Sequence, residues 1–596
     1  MFSHFPSALF AGVPLAGLLL LAGCTNGNSP SATPPTTVAS KPRAPAEEPF
    51  SGPPIFENVT PTTGIDVTYK TGEEAGHLSI LESLGGGVSL FDYNRDGLTD
   101  VFVTGGGHYG PNKEIKGHPC KLYQNLGNFK FKDVTAEAGL QGIDFYNHGS
   151  AVGDYDNDGW PDLLVTGYGR LALFHNRDAR FTEVTREAGL DIPRAIHWST
   201  SAGWADLDGD GLQDLFVAHY VDWSFANHPP CRDATGEKPD VCSPKQFKPL
   251  PHNLFQNLGG GKFKDVTEEA GIVPGKGLGV LICDVNHDRK PDIYVANDTE
   301  ANYLYINQCS KGVFRFNEAA ARMGVALDEH GIPNGSMGID AADYDGSGHF
   351  SIFVTNYQHE AHALYRNLRP NSFRYVSAPT GILAIGLIYV GWGTVFIDYN
   401  NDGAEDIFIS NGHVVRFPPP PGTLKQRPVL LKNMRKPGDK GFDVRFEPVS
   451  QFAGTYFREP SMGRGCAKGD LDNDGKVDLV INRANEPVVV LRNVDKNENH
   501  WLGLGLTGST TRDPVGAEII VEVDGQKLYR PVKAAGSYAS TNEKRTVIGL
   551  GSARRIDRLT VKWPSGKDQV WSGEALPVDR YWYLSEGDEA PRDRPN

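Results

Sequence analysis

Seven times along its length the chain writes a short acidic loop that opens directly into an apolar run, and this repeat limits its fold more than any other feature. The fullest copy is Asp154-Tyr-Asp156-Asn-Asp158-Gly159-Trp160-Pro161-Asp162, with carboxylates at positions 1, 3, 5 and 9 and glycine at position 6. Alternate side chains of a tight turn converge on one point, and the glycine lets the backbone fold back sharply. Converging carboxylates repel one another unless a hard cation lies between them, and oxygen-only ligation favours calcium. Five further copies place Asp92, Asn94, Asp96 and Asp100; Asp206, Asp208, Asp210 and Asp214; Asp284, Asn286, Asp288 and Asp292; Asp398, Asn400, Asp402 and Asp406; and Asp470, Asp472, Asp474 and Asp478 at the same positions. A degenerate copy, Asp343 to Ser351, has Ser347 and Ser351 where ligands should stand and is expected to be empty or weak.

A calcium loop of the EF-hand type needs a bidentate glutamate at position 12 and flanking helices. Position 12 here is Val103, Val165, Val217, Val295, Val354, Ile409 and Ile481, all apolar and β-branched. Each loop runs into a segment such as Asp162-Leu-Leu-Val-Thr166 or Asp214-Leu-Phe-Val-Ala218, which is a strand signature. The loops are hairpin tips.

The 596 residues suffice for one large repeat array with an added module. Six calcium ions would offset twelve of the fifteen net negative charges, so the acidity belongs to the loops. No basic stripe is available to neutralise phosphates, which argues against nucleic-acid binding. Residues 1–23 read as a signal peptide, because the apolar stretch Leu9 to Gly23 is too short to span a bilayer and is broken by Pro14. Its end, Leu21-Ala22-Gly23-Cys24, resembles the bacterial lipobox, which implies lipidation of Cys24 and a place in the cell envelope, although no Lys or Arg precedes the apolar stretch. Residues 24–54 are rich in Pro, Ser, Thr and Ala and read as a disordered tether. Cys231 and Cys242 flank a polar, Pro-rich insertion and are the candidate disulfide, which would stabilise by roughly 2–3 kcal/mol. Cys283 and Cys466 lie in strands and read as small buried side chains.

A second element recurs out of phase with the first. It reads Phe131-Lys-Asp-Val-Thr135, Phe181-Thr-Glu-Val-Thr185 and Phe263-Lys-Asp-Val-Thr267, with looser copies from Phe316, Phe373 and Phe446. Each follows an apolar segment that ends in asparagine, such as Leu122-Tyr-Gln-Asn125. One period is thus four antiparallel strands, the unit of a propeller blade. The first copy, Phe56-Glu-Asn-Val-Thr60, precedes every acidic loop, and no copy follows the seventh. Loops and outer strands balance only if Phe56–Thr60 serves the last blade, which closes the ring and removes the exposed edge of an open array. The fold class is all-β: a seven-bladed propeller over residues 55–498, a small β-sandwich over 499–587 and a tail over 588–596.

The acidic repeats resemble the FG-GAP/VCBS repeats of integrin-type propellers. Residues 499–587 resemble the ASPIC/UnbV domain of cartilage-acidic-protein-like proteins through His500-Trp501-Leu502, Val515-Gly516-Ala517, Gly536-Ser-Tyr538, Ile548-Gly549-Leu550-Gly551 and Val561-Lys-Trp563-Pro564-Ser565-Gly566. Alternating runs split by Gly turns give the β-sandwich independently of the resemblance. The resemblance implies a secreted or surface protein of poorly defined biochemical role.

If the acidic loops share one face of the ring, the opposite face collects polar and aromatic residues. His148, His197, Trp198, His219, Trp223, His330, His359 and His413 are the candidate ligand-binding residues on that face. Their bland counterpart is a set of side chains that cap blade edges. His359-Glu-Ala-His362 is one residue short of a zinc-protease motif, and no nucleophile elbow or phosphate loop is present. The favoured expectation is a calcium-stabilised binding or adhesion module for a glycan or protein. Its rival is a secreted carbohydrate-active enzyme using the same face.

Overall fold

The computed structural model describes residues 52–191, 197–369, 372–436 and 444–594, so the signal peptide, Cys24 and nearly all of the tether lie outside the described residues. From Phe56 to Asn493 the described strands form seven antiparallel four-stranded sheets and one separate hairpin, Gly107–Tyr109 with Ile115–Gly117. Their innermost strands are Val88–Phe91, Asn147–Gly153, Ser199–Ala205, Gly277–Cys283, Ile339–Ala342, Gly391–Ile397 and Gly463–Gly469, numbered here as blades 1 to 7. These strands touch in that order, and the seventh touches the first, so the sheets form a closed propeller. The outermost strand of blade 7 is Phe56–Asn58, paired antiparallel with Val489–Asn493 in the register Phe56↔Asn493. That is the closure inferred from the out-of-phase repeat.

The asparagine that ends each third strand explains how the ring is held. The Asn125 side-chain amide donates to the carbonyl of Leu471, and Asn176 does the same to Tyr93, Asn257 to Tyr155 and Asn307 to Leu207. Asn367, Asn433 and Asn493 continue the series to Val285, Tyr344 and Tyr399. Each bond ties one blade to position 2 of the preceding blade's acidic loop, and together they run once round the circle. All seven amides are buried, where a bond to a carbonyl is worth most because a lost one leaves a dry, unpaired group.

The C-terminal domain packs a three-stranded sheet against a four-stranded one around Leu502, Ile519, Val521, Ile548, Leu559 and Trp563. Between Gln526–Pro531 and Thr546–Gly551, residues 533–545 leave this sandwich as a strap and enter the propeller channel. Ala534–Ala535 adds a fifth strand to blade 4 beside Gly277–Cys283. The Gly536 N–H donates to Val280, Ser537 and Ile339 exchange two backbone bonds, and Thr541 exchanges two with Val88 and Leu90. Ser201 Oγ accepts from the Ala539 N–H, and Lys468 N–H donates to Asn542. At the far end Tyr538 is fully buried and meets Trp392 edge-on at 4.8 Å. The strap thus touches the walls of all seven blades, meeting blade 6 through Trp392 and at Gly393, whose added Cβ would lie 2.9 Å from Ser537 Oγ.

The far mouth is closed as well. Residues 69–84 and the insertion 220–250, pinned by the Cys231–Cys242 disulfide, pack Leu81, Leu84, Trp223 and Phe247 over the end of the channel. Arg464, fully buried, donates to the carbonyls of Ser83, Gly463 and His413 and lies over the Trp392 ring at 4.3 Å. Cys120, Cys283, Cys309 and Cys466 are free and buried.

Candidate functional site

The acidic loops are built alike. Position 1 accepts backbone N–H groups on both oxygens, as where Asp92 Oδ2 takes Gly97 at 2.8 Å and Oδ1 takes Asp96 at 3.1 Å, except in loop 2, where Asp154 takes only the Gly159 N–H at 3.0 Å. Position 9 is bonded on both oxygens: Asp100 accepts from Tyr93 at 3.0 Å and from Asn125 at 2.7 Å. Position 6 is left-handed, with φ from +82° to +96° at its glycines, and in loop 4 Arg289 takes this conformation at +70°. Only a residue without a Cβ does so freely.

The donor set fits a hard divalent cation. Carboxylate oxygens of Asp154, Asp156 and Asp162 lie within 4.8 Å of one another, as do those of Asp206, Asp208 and Asp210 and those of Asp470, Asp472 and Asp478. Oδ1 of Asp154 and of Asp472 is buried without a hydrogen-bond partner. In loops 1, 4 and 6 position 3 is asparagine, and Asn94, Asn286 and Asn400 donate to Asp96, Asp288 and Asp402 at 2.8, 3.0 and 2.9 Å. Burial first, and neighbouring carboxylates after it, push Asp206 and Asp284 up to about 6, Asp154 and Asp470 to about 7, Asp398 to about 8 and Asp162 to about 9. A cation at the point of convergence would remove that penalty.

Loop 5 carries its own cation. Arg366 Nε donates to Asp345 Oδ2 at 2.6 Å, and the Asp345 side chain is fully buried. The guanidinium supplies the charge that the two serines cannot help to hold as metal ligands. Replacing it, Arg366→Gln, strands a buried carboxylate and is expected to cost about 3 kcal/mol in chemical denaturation. A change below about 1 kcal/mol would mean that Asp345 finds another partner.

The C-terminal domain lies over the loops. Arg512 is 3.3 Å from Asp154, the Tyr581 hydroxyl donates to Asp470 at 2.7 Å, and Arg530 pairs with Glu405 at 2.7 Å beside Asp398. His287 of loop 4 meets Glu518 at 3.2 Å, and Thr99 of loop 1 donates to Glu543 at 2.6 Å.

The residues predicted for a ligand face are placed differently. His148, Trp198, His219, Trp223 and His413 are buried and bonded inside the protein, which corrects their reading as an open binding surface. Trp198 Nε1 donates to His148 Nε2 at 2.9 Å, so His148 Nδ1 holds the proton and faces the Gly85 carbonyl at 3.0 Å. Burial holds His148 and His413 down at about 4, as neutral core imidazoles. His219 meets Asn253 Oδ1 at 2.8 Å, and the Trp223 indole donates to His228 at 3.0 Å. The insertion 220–250 and the segment 69–84 cover this group, and a polar or aromatic composition alone cannot announce a cover supplied from elsewhere in the chain. His197 is half-buried beside His219, and His330 and His359 are exposed.

A carboxylate pair that sequence reasoning did not pick out stands on the same side. A Cβ added to Gly335 would meet Asp298 Oδ1 at 3.1 Å and Glu360 Oε2 at 3.5 Å, so the two acids flank this residue. Tyr220 donates to Asp298 at 2.5 Å and the Gly335 N–H to Glu360 at 2.6 Å. Burial raises both, Asp298 to about 7.

Residues 92–165, 154–217 and 284–354 match the FG-GAP-like repeat family, and residues 507–591 match the ASPIC and UnbV family. The chain is therefore an FG-GAP-repeat β-propeller protein with a C-terminal ASPIC/UnbV domain. It is homologous over most of its length to cartilage acidic protein 1. Identity to the Homo sapiens protein is 23% over 534 residues, covering 84% of this chain and 72% of the relative, and identity to that of Mus musculus is 27% over 510 residues, covering 81% and 70%. Among solved structures it is similar to an Agrocybe aegerita lectin described as recognising non-reducing terminal N-acetylglucosamine, with TM-score 0.36, 13% identity and coverage of 70% of this chain and 90% of that one. A Bacillus licheniformis rhamnogalacturonan lyase gives TM-score 0.27 at 13% identity, covering 69% and 89%. At these scores neither likeness transfers a ligand or an activity.

Proposed function

We propose that the protein is an exported binding module of the cell envelope, anchored by a lipid at Cys24 and stabilised by calcium in its acidic loops. It recognises a glycan or a protein through the propeller face opposite those loops. The observation that supports this reading is the position of the C-terminal domain, which lies over the loops and fills the channel with residues 533–545. The far face is left as the broad surface of the propeller. Its relief comes from the insertions 107–117, 220–250 and 413–425, with His330, His359, Ile332 and Phe417 exposed rather than the buried histidines and tryptophans. Loop insertions on a rigid ring are where a propeller places its recognition residues. Purified protein lacking residues 1–24 is expected to bind one class of glycan or protein on an array, saturably and without product. Array-wide silence would sink the reading.

A second reading is favoured by one observation, the Asp298 and Glu360 pair with raised carboxyls. Two acids whose protons are held differently can share general acid and base work on a glycan. In that case the array yields cleaved product, and Asp298→Asn or Glu360→Gln abolishes it while binding persists.

A further inference from the structure

We propose that the second acidic loop is a mixed nitrogen and oxygen site for a borderline divalent cation, zinc above all, with His175 as one ligand. The inference rests on the reading of the loops as cation sites and assigns one of them a different metal. His175 lies on the third strand of blade 2, Leu171–Arg177, directly before the Asn176 that ties the blade to its neighbour. Its Nε2 is 3.1 Å from Asp156 Oδ2 and 3.6 Å from Asp158 Oδ2. Ligand atoms of these three residues lie within 4.8 Å of one another, and Asp156 also belongs to the set formed with Asp154 and Asp162. Two buried atoms here have no hydrogen-bond partner: Asp154 Oδ1, on a residue only 6% exposed, and His175 Nε2 itself. The Tyr155 ring holds the imidazole edge-on at 5.9 Å.

The other blades show what this position does. The residue before the ring-tying asparagine is Gln124, Gln256, Ile306, Arg366, Lys432 and Arg492 in blades 1, 3, 4, 5, 6 and 7. Arg366 and Arg492 reach into their own loops, 2.6 Å from Asp345 and 2.8 Å from Asp472. Side chains at this position therefore face the acidic cluster, and in blade 2 the side chain is an imidazole. Oxygen-only sets suit calcium, whereas an imidazole with carboxylates suits zinc and its first-row neighbours. A neutral imidazole ligand is thus a selector added to a site whose other loops are built of oxygen. The rival role is an imidazolium that pairs with the loop as Arg366 does in blade 5.

The test uses the whole chain, stripped of metal and returned to millimolar calcium with a slight excess of zinc, then desalted and analysed for both metals. The expected result is one equivalent of zinc per chain in the wild type, lost on His175→Gln, with calcium at the wild-type value or higher by the one equivalent that the vacated oxygen loop takes. Glutamine already occupies this position in blades 1 and 3, so the variant keeps a side chain that the fold accepts. Equal zinc in both proteins, or none in the wild type, would overturn the proposal. A second readout needs no variant: in histidine-labelled wild type, zinc shifts the His175 ring-nitrogen resonance if it is a ligand and leaves it in place if the ring is only an ion-pair partner. Calcium is counted in the same samples, so an absence of calcium from every loop would expose the failure of the underlying reading separately.

Discussion

Removal of calcium by a chelating resin is expected to lower the melting temperature at pH 8 by roughly 10–15 °C. A ligand at a hundredfold excess over its dissociation constant adds about 2.7 kcal/mol per site, and six well-formed loops are at stake. For a folded unit of this length, unfolding entropy converts about 1 kcal/mol into one degree. The sign of the pH dependence follows from the raised carboxyls. Asp154 and Asp470 stand at about 7, Asp398 at about 8 and Asp162 at about 9, against roughly 4 in an unfolded chain. Between those limits the metal-free native state holds more protons than the unfolded one, so its stability is full below about pH 4, falls as pH rises from there, and levels off only once the folded values of 7 to 9 are passed. Calcium takes the place of those protons, and the loaded protein stays level across the same range. Calorimetry of both forms at pH 5, 7 and 8.5 checks this. Superimposable curves would show that the turns stand on their backbone hydrogen bonds alone.

The propeller was legible because its two repeats differ in phase. Acidic loops announce hairpin tips, the Phe-x-x-Val-Thr element announces outer strands, and Phe56 preceding the first loop demands closure onto Val489–Asn493. The asparagines that follow each third strand were visible as a pattern, but their partners lie in another blade, and no local spacing names a carbonyl 346 residues away, as for Asn125 and Leu471. Position 9 illustrates the same gap, since its aspartates look like metal ligands yet also anchor two backbone N–H groups each. The ligand face was misread for a related reason. His148 and Trp198 have the composition of a binding surface, and only the three-dimensional course of residues 69–84 and 220–250 turns them into core. Most hidden of all was the strap, because Gly536-Ser-Tyr538 carries the resemblance to a separate domain and nothing local in it names a partner in the propeller.

A chain ended after residue 498 is expected to lose its cooperative melt and to aggregate. The strap supplies six backbone hydrogen bonds to the inner strands through residues 536–541, from Gly536 to Val280, between Ser537 and Ile339, from Ser150 to Ala539 and between Thr541 and Val88 and Leu90. At about 1 kcal/mol each these are worth roughly 6 kcal/mol, and exposing the groups they satisfy in a narrow channel costs more. Burial of Tyr538 adds about 3–5 kcal/mol on the scale of aromatic-to-alanine substitutions in a core. The total approaches the whole stability of an ordinary folded domain. Two point variants assign the effect to the strap rather than to the sandwich. Tyr538→Ala removes only the tip and lowers the melting temperature by about 3–5 °C. Gly87→Val puts a Cβ 1.7 Å from the Ala539 carbonyl oxygen, so the strap cannot seat although the C-terminal domain is still present. That variant is expected to behave like the truncation. If the shortened chain instead melts at the wild-type temperature, the propeller needs nothing in its channel, and the strap is held by the ring without holding it.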